Sequence, residues 1–527
     1  MIHTDLIAPV GALLRRQASA RGDRIAYEDA RRSVTYAALE RRTAALAVLL
    51  QEMGLRMGQS VALLLPNSVA WVEACLAILR AGGVVVPISY DATEPEIGYR
   101  LADADCRVAI TTEAGARRIA GLMPAAAAGG GMILTGETGD FAVAAERTND
   151  VMPDGATPGD ATSDGATPRD PDDLDATAFI VYTSGTTGRA KGVMLSLRGM
   201  LWVNAACWVP IAGLSAEDHV LSPLPLFHSY ALNLSVLAIM ATGARAYIME
   251  RFSTTEMAAL LARGTFTVLP GVPTMFHYLL DTFRAAGNRD AGRVRLCISA
   301  GAILPGPLNR DFEDWFAIPL LDGYGITETA TMVTMNWPVG TRIPGSCGLP
   351  LPGLTVRLVD PATDADAAPG EEGELIVRGP GVMQGYWNKP AETAAALRQG
   401  WYRTGDLARG DASGFLTITG RLKELIIRGG QNIAPAEVEE AVIAFPAVRD
   451  CAVVGMPHHH LGEVPVAFVV LREGAALDPA ALLAHCRDRL SAYKVPHAIR
   501  IVAEIPRTGS GKVMRFKLRE ALDGASG

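Results

Sequence analysis

The residues best suited to chemistry lie together in a short stretch of hydroxyl groups, glycines and two cations. This stretch, residues 182–193, reads YTSGTTGRAKGV. Small hydroxyl residues and glycines supply O–H donors and closely approaching backbone N–H groups, and Lys191 adds a positive charge, which together suit a polyphosphate. The apolar run at 178–181 predicts a buried strand just before it. Since open α/β sheets bind ligands at strand ends, we expect a phosphate-binding loop there.

Two alternatives for this loop can be weighed from its spacing. The nucleotide P-loop requires a glycine, four intervening residues and then Gly-Lys-Ser/Thr. The fifth residue after Gly185 is Ala190, and Lys191 is followed by Gly192, so that pattern does not fit. A flexible surface loop would also be rich in glycine and threonine. The ordered string Thr-Ser-Gly-Thr-Thr-Gly-x-x-Lys-Gly is too specific for that interpretation.

This ordered string resembles the phosphate loop of the adenylate-forming superfamily, which includes acyl-CoA synthetases, nonribosomal adenylation domains and firefly-type luciferases. Four later motifs agree with the superfamily in their order along the chain. They are Gly-Tyr-Gly-Ile-Thr-Glu at 323–328, Thr-Gly-Asp at 404–406, Gly-Arg-Leu-Lys-Glu at 420–424, and Pro-x-Thr-x-x-Gly-Lys at 506–512. The resemblance covers nearly the whole chain and implies an AMP-forming acid ligase.

The resemblance implies a nucleotide site assembled from several of these motifs. Tyr324 offers an aromatic face on which adenine can stack, and Asp322 can accept a hydrogen bond from the adenine amino group. The Thr-Gly-Asp string alone reads as an exposed turn, but by resemblance Asp406 would hold the ribose hydroxyls, and Arg421 the ribose or a phosphate. The implied ATP-binding residues are Thr183, Ser184, Gly185, Thr186, Thr187, Gly188, Lys191, Gly301, Ala302, Asp322, Gly323, Tyr324, Gly325, Thr327, Asp406, Arg421 and Lys512.

The same resemblance implies which groups act at the reacting atoms. Thr327 can donate to the α-phosphate, Glu328 supplies the hard oxygen that Mg²⁺ prefers, and Lys512 would bridge the carboxylate and the α-phosphate. The string Pro-Leu-Phe-His-Ser-Tyr at 225–230 resembles the segment beside the carboxylate substrate, which implies a positioning or gating role for His228. The implied catalytic residues are Lys512, Thr327, Glu328 and His228, and the implied acyl pocket is lined by His228, Ser229, Tyr230, Gly301 and Gly325.

The C-terminal motifs imply a part of the protein that moves. Lys423 falls at the position where the superfamily's small domain pivots, and Gly429 and Gly430 would line the path of the CoA thiol. Pivoting would withdraw Lys512 after the first half-reaction. Three consecutive histidines at 458–460 invite a metal-site hypothesis. Consecutive side chains cannot all face one ion, so we predict a loop there.

The elements predicted from periodicity place these motifs in an α/β fold. Between about residues 10 and 120, helical patterns alternate with short apolar strands, which is typical of a mainly parallel sheet. Short strands with Gly/Pro turns at 345–379 predict a small β-barrel-like subdomain. We predict a large N-terminal domain of mainly parallel α/β sheets that includes this subdomain, over 1–420. A small mobile α+β C-terminal domain with its hinge near Lys423 would follow over 421–527.

One segment matches no motif. Residues 152–176 repeat Asp-Gly-Ala-Thr-Pro at 154–158 and 164–168 and are acidic and rich in Pro, Gly and Thr. Such a composition buries too little apolar surface to offset the entropy of ordering the chain. We predict a flexible acidic surface insertion just ahead of the phosphate loop.

Composition narrows the classes of protein to which the chain can belong. The 527 residues exceed a single ordinary core, and 49% hydrophobic with 20% charged residues describe a globular protein. A net charge of −8 does not indicate the positively charged surface that nucleic-acid binding requires. The most membrane-like run, 230–249, is interrupted by polar residues, so we predict a buried helix leading into a strand and no transmembrane segment. Seven scattered cysteines without a Cys-x-x-Cys pair favour reduced thiols and a cytoplasmic protein.

The sequence therefore predicts an AMP-forming carboxylic acid–CoA ligase that uses ATP, Mg²⁺ and coenzyme A. The segments 331–338 and 344–353 resemble pocket segments of the fatty acyl-CoA and coumarate-type ligases. We expect a medium- or long-chain fatty acid, because no cation stands out near these pocket segments except Arg342, which we place beyond the pocket. The alternatives are an aryl or small acid, or transfer to an acyl carrier protein. His228 stands where amino-acid adenylation domains carry an Asp, which weakens an amino-acid substrate. A non-catalytic nucleotide-binding regulatory protein is opposed by the joint presence of Glu328, Asp406 and Lys512.

Overall fold

The computed structural model of the chain describes residues 2–124, 131–136, 140–143, 167–183, 190–429, 431–507 and 513–523. Its strands are β1 (Ile25–Glu28), β2 (Ser33–Thr35), β3 (Ser60–Leu64), β4 (Val84–Pro87), β5 (Val108–Thr111), β6 (Gly131–Thr135), β7 (Phe141–Val143), β8 (Thr177–Thr183), β9 (Lys191–Ser196), β10 (His219–Ser222), β11 (Arg245–Ile248), β12 (Val268–Gly271), β13 (Leu296–Ser299), β14 (Leu320–Tyr324), β15 (Thr334–Met335), β16 (Leu349–Pro350), β17 (Thr355–Val359), β18 (Glu372–Arg378), β19 (Gly385–Tyr386), β20 (Leu397–Arg398), β21 (Trp401–Gly410), β22 (Leu416–Arg421), β23 (Ile426–Arg428), β24 (Gln431–Ile433), β25 (Val448–His458), β26 (Gly462–Leu471) and β27 (Ala498–Ile501).

The α-helices are α1 (Val10–Arg21), α2 (Tyr36–Glu52), α3 (Val69–Arg80), α4 (Glu94–Asp103), α5 (Glu113–Ile119), α6 (Leu197–Val203), α7 (Ser229–Ala231), α8 (Ile239–Thr242), α9 (Thr254–Leu261), α10 (Pro273–Ala285), α11 (Gly306–Phe316), α12 (Pro390–Ala396), α13 (Pro435–Ile443), α14 (Pro479–Arg487) and α15 (Arg515–Asp523). Short 3-10 helices span Thr4–Leu6, Thr327–Thr329 and Leu422–Glu424, and π-helical segments span Asn204–Trp208 and Leu232–Ala238.

Two large sheets form most of the N-terminal part. Within the described ranges, one sheet has nine strands in the order β16-β15-β14-β13-β12-β10-β11-β1-β2, and the other has eight in the order β19-β9-β8-β4-β3-β5-β6-β7. Their central strands pair in parallel and their outer strands antiparallel. The predicted mainly parallel α/β architecture is therefore confirmed.

Helix α3 is buried along its whole length, from Val69 to Arg80. A helix that is apolar on every side belongs in the interior rather than on a surface. Its two charged residues are buried with opposite charges beside them, as buried charges require. Glu73 accepts from Arg32 at 2.6 Å and from Arg42 at 2.7 Å, and the Arg80 Nε lies 2.9 Å from Asp170.

Two smaller sheets complete the chain. The third sheet has the order β17-β18-β21-β20, with β22 paired to β21. Register shifts in the β18–β21 and β21–β22 pairs mark bulges, which bend a sheet. This is the predicted barrel-like subdomain. The last sheet, β24-β23-β26-β25 with β27 beside β26, packs with α13, α14 and α15 and confirms the C-terminal α+β domain.

The run at 230–249 forms a buried helical segment from α7 to α8 and then strand β11, as the sequence predicted. No helix in the described part of the chain is long and apolar enough to cross a bilayer. All seven cysteines are buried and unpaired, which agrees with the expectation of reduced thiols. The loop predicted for the histidine triplet is confirmed for His459 and His460, which form the turn before β26, whereas His458 is the last residue of β25.

The acidic segment at 152–176 falls largely outside the described residues, which resume at Thr167. In its described portion, Asp170 accepts from Arg80 in α3 and also lies 2.7 Å from Arg15 in α1. The end of the segment is therefore joined to the N-terminal helices before the chain enters β8. The flexibility of the rest stays a prediction.

Candidate active site

The phosphate loop connects two neighbouring strands. Strand β8 ends at Thr183 and β9 begins at Lys191, and these two residues lie opposite each other in the pair. The buried strand predicted at 178–181 is the centre of β8. The loop itself, 184–189, lies outside the described residues, so the expected contributions of its members remain predictions. These are Ser184, Gly185, Thr186, Thr187 and Gly188.

The Gly-Tyr-Gly-Ile-Thr-Glu motif runs from the end of β14 into a 3-10 helix. A Cβ atom on Gly325 would lie 1.3 Å from the carbonyl oxygen of Thr331, so the backbone tolerates only glycine there. The hydroxyl oxygens of Thr327 and Ser229 are 3.4 Å apart, which brings the predicted α-phosphate donor beside the predicted acyl pocket. Glu328 follows Thr327 directly and accepts from the Tyr386 hydroxyl at 3.1 Å.

The predicted ribose end of the site is a buried hydrogen-bonded cluster. Asp406 lies in β21 and is 2% exposed, so it is a buried strand residue, and its predicted ribose role stays a prediction. The Tyr324 hydroxyl donates to its Oδ2 at 2.5 Å. Arg421 Nε lies 2.6 Å from Asp406 Oδ1. Burial and the Asp406 charge both raise the pKa of Tyr324.

The side chains predicted to meet adenine lie at the end of β14. Asp322 is buried, and burial raises the pKa of its carboxyl well above the usual range, opposed in part by the Gly323 N–H. Either protonation state keeps an oxygen able to accept from an amino group. A Cβ atom on Gly323 would lie 2.3 Å from Met332 Cε, so the glycine leaves room for that buried side chain.

Two small residues, Gly301 and Ala302, follow β13, the strand that pairs with β14. Gly301 has φ of +86°, in the left-handed region that favours glycine. Both Gly301 and Ala302 are exposed, so their backbone is accessible to a flat ligand. Their predicted place in a ligand pocket stays a prediction.

The predicted acyl segment begins at the N-terminus of α7. The rings of His228 and Phe227 have centroids 4.2 Å apart. Tyr230 is almost fully buried, donates to the Ile298 carbonyl at 3.0 Å, and stacks on Trp208 with ring centroids 6.1 Å apart. The two π-helical segments meet here, and such segments are frequent at functional sites. The acyl end is therefore lined by large aromatic groups in a tightly packed region.

The C-terminal candidates are only partly described. Lys423 lies in the 3-10 helix Leu422–Glu424, directly after β22. Gly429 has φ of +57°, and its N–H donates to the Leu461 carbonyl at 2.7 Å. Gly430 and Lys512 lie outside the described residues. Just beyond Lys512, Arg515 pairs with Glu424 at 3.0 Å and with Glu439, so the segment is attached beside the predicted hinge.

Sequence reasoning missed two tyrosines at the phosphate end. Tyr386 donates to Glu328, and the Lys191 ammonium lies 4.8 Å from the centre of its ring. Tyr402 is buried beside Tyr386 and Glu328, and burial together with the Glu328 charge raises its pKa. The local sequence of each indicates only a strand. Tyr386 is located by the tertiary pairing of β19 with β9, and Tyr402 by the place of β21 in the third sheet.

Comparison with known proteins agrees with this arrangement. The AMP-binding enzyme family matches residues 14–387, and the AMP-binding enzyme C-terminal domain matches residues 437–512. A feruloyl-CoA synthase from Amycolatopsis sp is 35% identical over 491 residues, covering 92% of this chain and 94% of that protein. A long-chain-fatty-acid–CoA ligase from Bacillus subtilis (strain 168) is 34% identical over 499 residues, covering 90% of this chain and 88% of that protein.

Solved structures are similar to this chain over nearly its whole length. The crystal structure of ATP-bound MatB from Rhodopseudomonas palustris has a TM-score of 0.86 at 33% identity, covering 97% of this chain and 98% of that chain. The match includes the N-terminal sheets, the barrel-like sheet and the C-terminal domain. The chain therefore belongs to the AMP-binding enzyme family of the adenylate-forming superfamily and is an AMP-forming acid–CoA ligase that uses ATP.

Proposed function

We propose that this ligase activates a medium- or long-chain fatty acid and transfers the acyl group to CoA. The observation that supports an uncharged acyl tail is the state of Arg342, the cation nearest the pocket segments in sequence. Its guanidinium lies 2.7 Å from Glu313 and donates to the Pro338 carbonyl at 3.0 Å, so it is already engaged. The aromatic and aliphatic groups beside His228 suit an apolar chain.

An aryl acid is the second candidate, because specific contacts favour a flat, short acid. Tyr230 is held against Trp208, and Met332 occupies the space beside Gly323. If the acid lies beside Tyr230 and Gly301 as proposed, a flat ring would need less depth there than a long chain.

In the first half-reaction, a carboxylate oxygen attacks the α-phosphorus of ATP, the bond to the β-phosphate breaks, and pyrophosphate leaves. Thr183 and Lys191, with the loop between them, would hold the departing phosphates, and Thr327 would donate to the α-phosphate. Lys512 would bridge the carboxylate and the α-phosphate. These groups act by positioning and by stabilising charge that grows on the phosphate oxygens.

The residues present also fit a magnesium ion. Glu328 offers a carboxylate bonded to Tyr386, whose ring contacts Lys191, and Mg²⁺ is usually held by one or two carboxylates together with substrate phosphates. When bound there, the ion would neutralise charge on the phosphate oxygens.

The other end of the site would hold the ribose and adenine through Asp406, Tyr324 and Arg421. Asp322 would accept a hydrogen bond from the adenine amino group.

In the second half-reaction, a thiol attacks the acyl carbon of the acyl-adenylate and AMP leaves. We propose that residues 421–527 rotate about Lys423, which withdraws Lys512 and brings Gly429 and Gly430 to the thiol path. The positive φ of Gly429 supports a backbone that a slender thiol arm can approach closely. Transfer to an acyl carrier protein would use the same face.

The test is a panel of acids assayed for pyrophosphate release, with and without CoA. We expect saturated acids of intermediate to long chain to give the highest kcat/KM, and CoA to be required for AMP release at a steady rate. Preference for an aryl acid would establish the second candidate. Pyrophosphate release only with acids outside both classes would overturn both candidates.

A further inference from the structure

Tyr386 connects two groups that come from different sheets of the protein. We propose that Tyr386 is a positioning residue that holds the Glu328 carboxylate for the magnesium ion and steadies the Lys191 ammonium through its ring. The inference rests on the proposed function, in which Glu328 and Lys191 meet the same polyphosphate. It adds a residue for which the sequence motifs gave no role.

One side of the connection is made to the phosphate loop. Strand β19 pairs antiparallel with β9, with Tyr386 opposite Val193, which lies two residues beyond Lys191. The Trp387 N–H donates to the Gly192 carbonyl at 2.7 Å. The ring of Tyr386 thereby lies with its centre 4.8 Å from Lys191 Nζ, within the range of a cation–π contact.

The other side of the connection is made to the metal-binding candidate. The Met383 N–H donates to the Glu328 main-chain carbonyl at 2.8 Å, and the Tyr386 hydroxyl donates to Glu328 Oε1 at 3.1 Å. The same short segment, 383–387, therefore fixes both the backbone and the side chain of Glu328. It also fixes the first residues of β9.

The local structure keeps Tyr386 suited to this role. Its N–H donates to Thr393 Oγ1 at 2.9 Å, which ties β19 to α12. A hydrogen bond to a ligating carboxylate fixes its rotation, and loss of such a partner typically weakens metal affinity by about 10- to 100-fold.

Two substitutions separate the two parts of the proposal. Tyr386→Phe removes the hydroxyl and keeps the ring, whereas Tyr386→Leu removes both. The probe is Mn²⁺, titrated by electron paramagnetic resonance into the full-length protein with a non-cleavable α,β-methylene ATP analogue. A second readout is the Mg²⁺ concentration that gives half-maximal pyrophosphate release.

We expect Tyr386→Phe to raise the Mn²⁺ dissociation constant and the half-saturating Mg²⁺ concentration by roughly 10-fold or more. We expect Tyr386→Leu to add a further roughly 2- to 5-fold rise in the KM for ATP, because Lys191 loses its cation–π contact. Transfer from supplied acyl-adenylate to CoA, which involves neither metal nor pyrophosphate, should be unchanged in Tyr386→Phe.

Tyr90→Phe is the matched control. Tyr90 also has a hydroxyl partner, Thr112 at 2.9 Å, and a cation over its ring, Arg118 at 5.6 Å, but it touches neither Lys191 nor Glu328. It should leave Mn²⁺ affinity unchanged. Wild-type Mn²⁺ affinity in Tyr386→Phe would overturn the inference. Since the Mn²⁺ titration needs no acid, it decides this point even if the acid panel overturns the proposed function.

Discussion

The ribose end and the phosphate end of the site are built differently. At the ribose end, Asp406, Tyr324 and Arg421 already bond to one another and lie within strands or directly after them. At the predicted phosphate end, Lys191 and Glu328 are joined through a third residue, Tyr386, which contacts both. A further group, Lys512, would come from the C-terminal part of the chain.

This difference indicates how the two ends should respond to change. Removing a member of the ribose cluster leaves a partner charge or hydroxyl in the interior without its bond, so both stability and nucleotide binding should fall. Removing a member of the phosphate end takes away charge stabilisation of the reacting atoms. Its cost should appear in the rate of adenylation with little cost in stability.

The largest effect is expected for Lys512→Ala. Loss of one charge-stabilising donor at the reacting phosphate should lower pyrophosphate release by roughly 100-fold or more. Transfer of a supplied acyl-adenylate to CoA should stay within about threefold of wild type, because the lysine serves one half-reaction. Lys517→Ala, an exposed lysine in α15, is the control and should change neither rate. Equal loss of both half-reactions would contradict the account.

The next effect compares the two ends directly. Asp406→Ala should lower the free energy of unfolding by about 3 kcal/mol, because Arg421 and Tyr324 lose their buried partner. Glu328→Ala should change it by less than about 1 kcal/mol while lowering pyrophosphate release by roughly 100-fold. Denaturant unfolding and initial rates measure the two quantities. Equal destabilisation by both substitutions would remove the distinction between the ends.

Gly325 links the two ends, since it lies between Tyr324 and Thr327. A Cβ atom on it would meet the Thr331 backbone carbonyl, so Gly325→Ala should destabilise the protein by about 2 kcal/mol or more. Gly121→Ala is the control, because a Cβ atom there meets nothing within 4 Å. Thermal unfolding without ligand compares the two variants. An unchanged melting temperature for Gly325→Ala would show that the motif backbone can move.

The smallest effect concerns pH and the adenine side of the ribose end. Burial gives the Asp322 carboxyl a higher pKa in the folded protein than in the unfolded chain. Its stabilising contribution is therefore complete below pH about 4, the ordinary Asp value, and is lost as the pH rises through the raised folded pKa. Asn does not titrate, so the free energy of unfolding of Asp322→Asn, relative to that of the wild type, should rise by about 1 kcal/mol or more between pH 4 and pH 8. A difference that does not change with pH would contradict the assignment.

The local motifs were enough to predict the strands that present the site. Thr183 ends β8, Lys191 begins β9, and Tyr324 ends β14 with Asp322 two residues before it, because apolar runs and glycine turns are local signals. The burial of Asp406 could not be predicted, since the same Thr-Gly-Asp letters occur in an exposed turn and inside a long strand. Only the structure shows which side of the strand faces the interior.

Contacts between distant segments could not be predicted from periodicity. Tyr386 and Glu328 are 58 residues apart, and their meeting depends on β19 joining the edge of the eight-stranded sheet. Asp170 likewise reaches Arg80 across 90 residues, from a segment whose composition predicted flexibility. In both cases the contact is a hydrogen bond or ion pair between segments far apart in sequence, which the local pattern of residues does not indicate.

The central claim is that the acid is activated by forming an acyl-adenylate. It is tested most directly with the acid that the panel selects, labelled with ¹⁸O in both carboxylate oxygens. Since the attacking oxygen stays on phosphorus when the thiol takes the acyl group, the account predicts one ¹⁸O atom in each AMP released and none in pyrophosphate. Label in orthophosphate with ADP as the nucleotide product, or AMP without label, would contradict it.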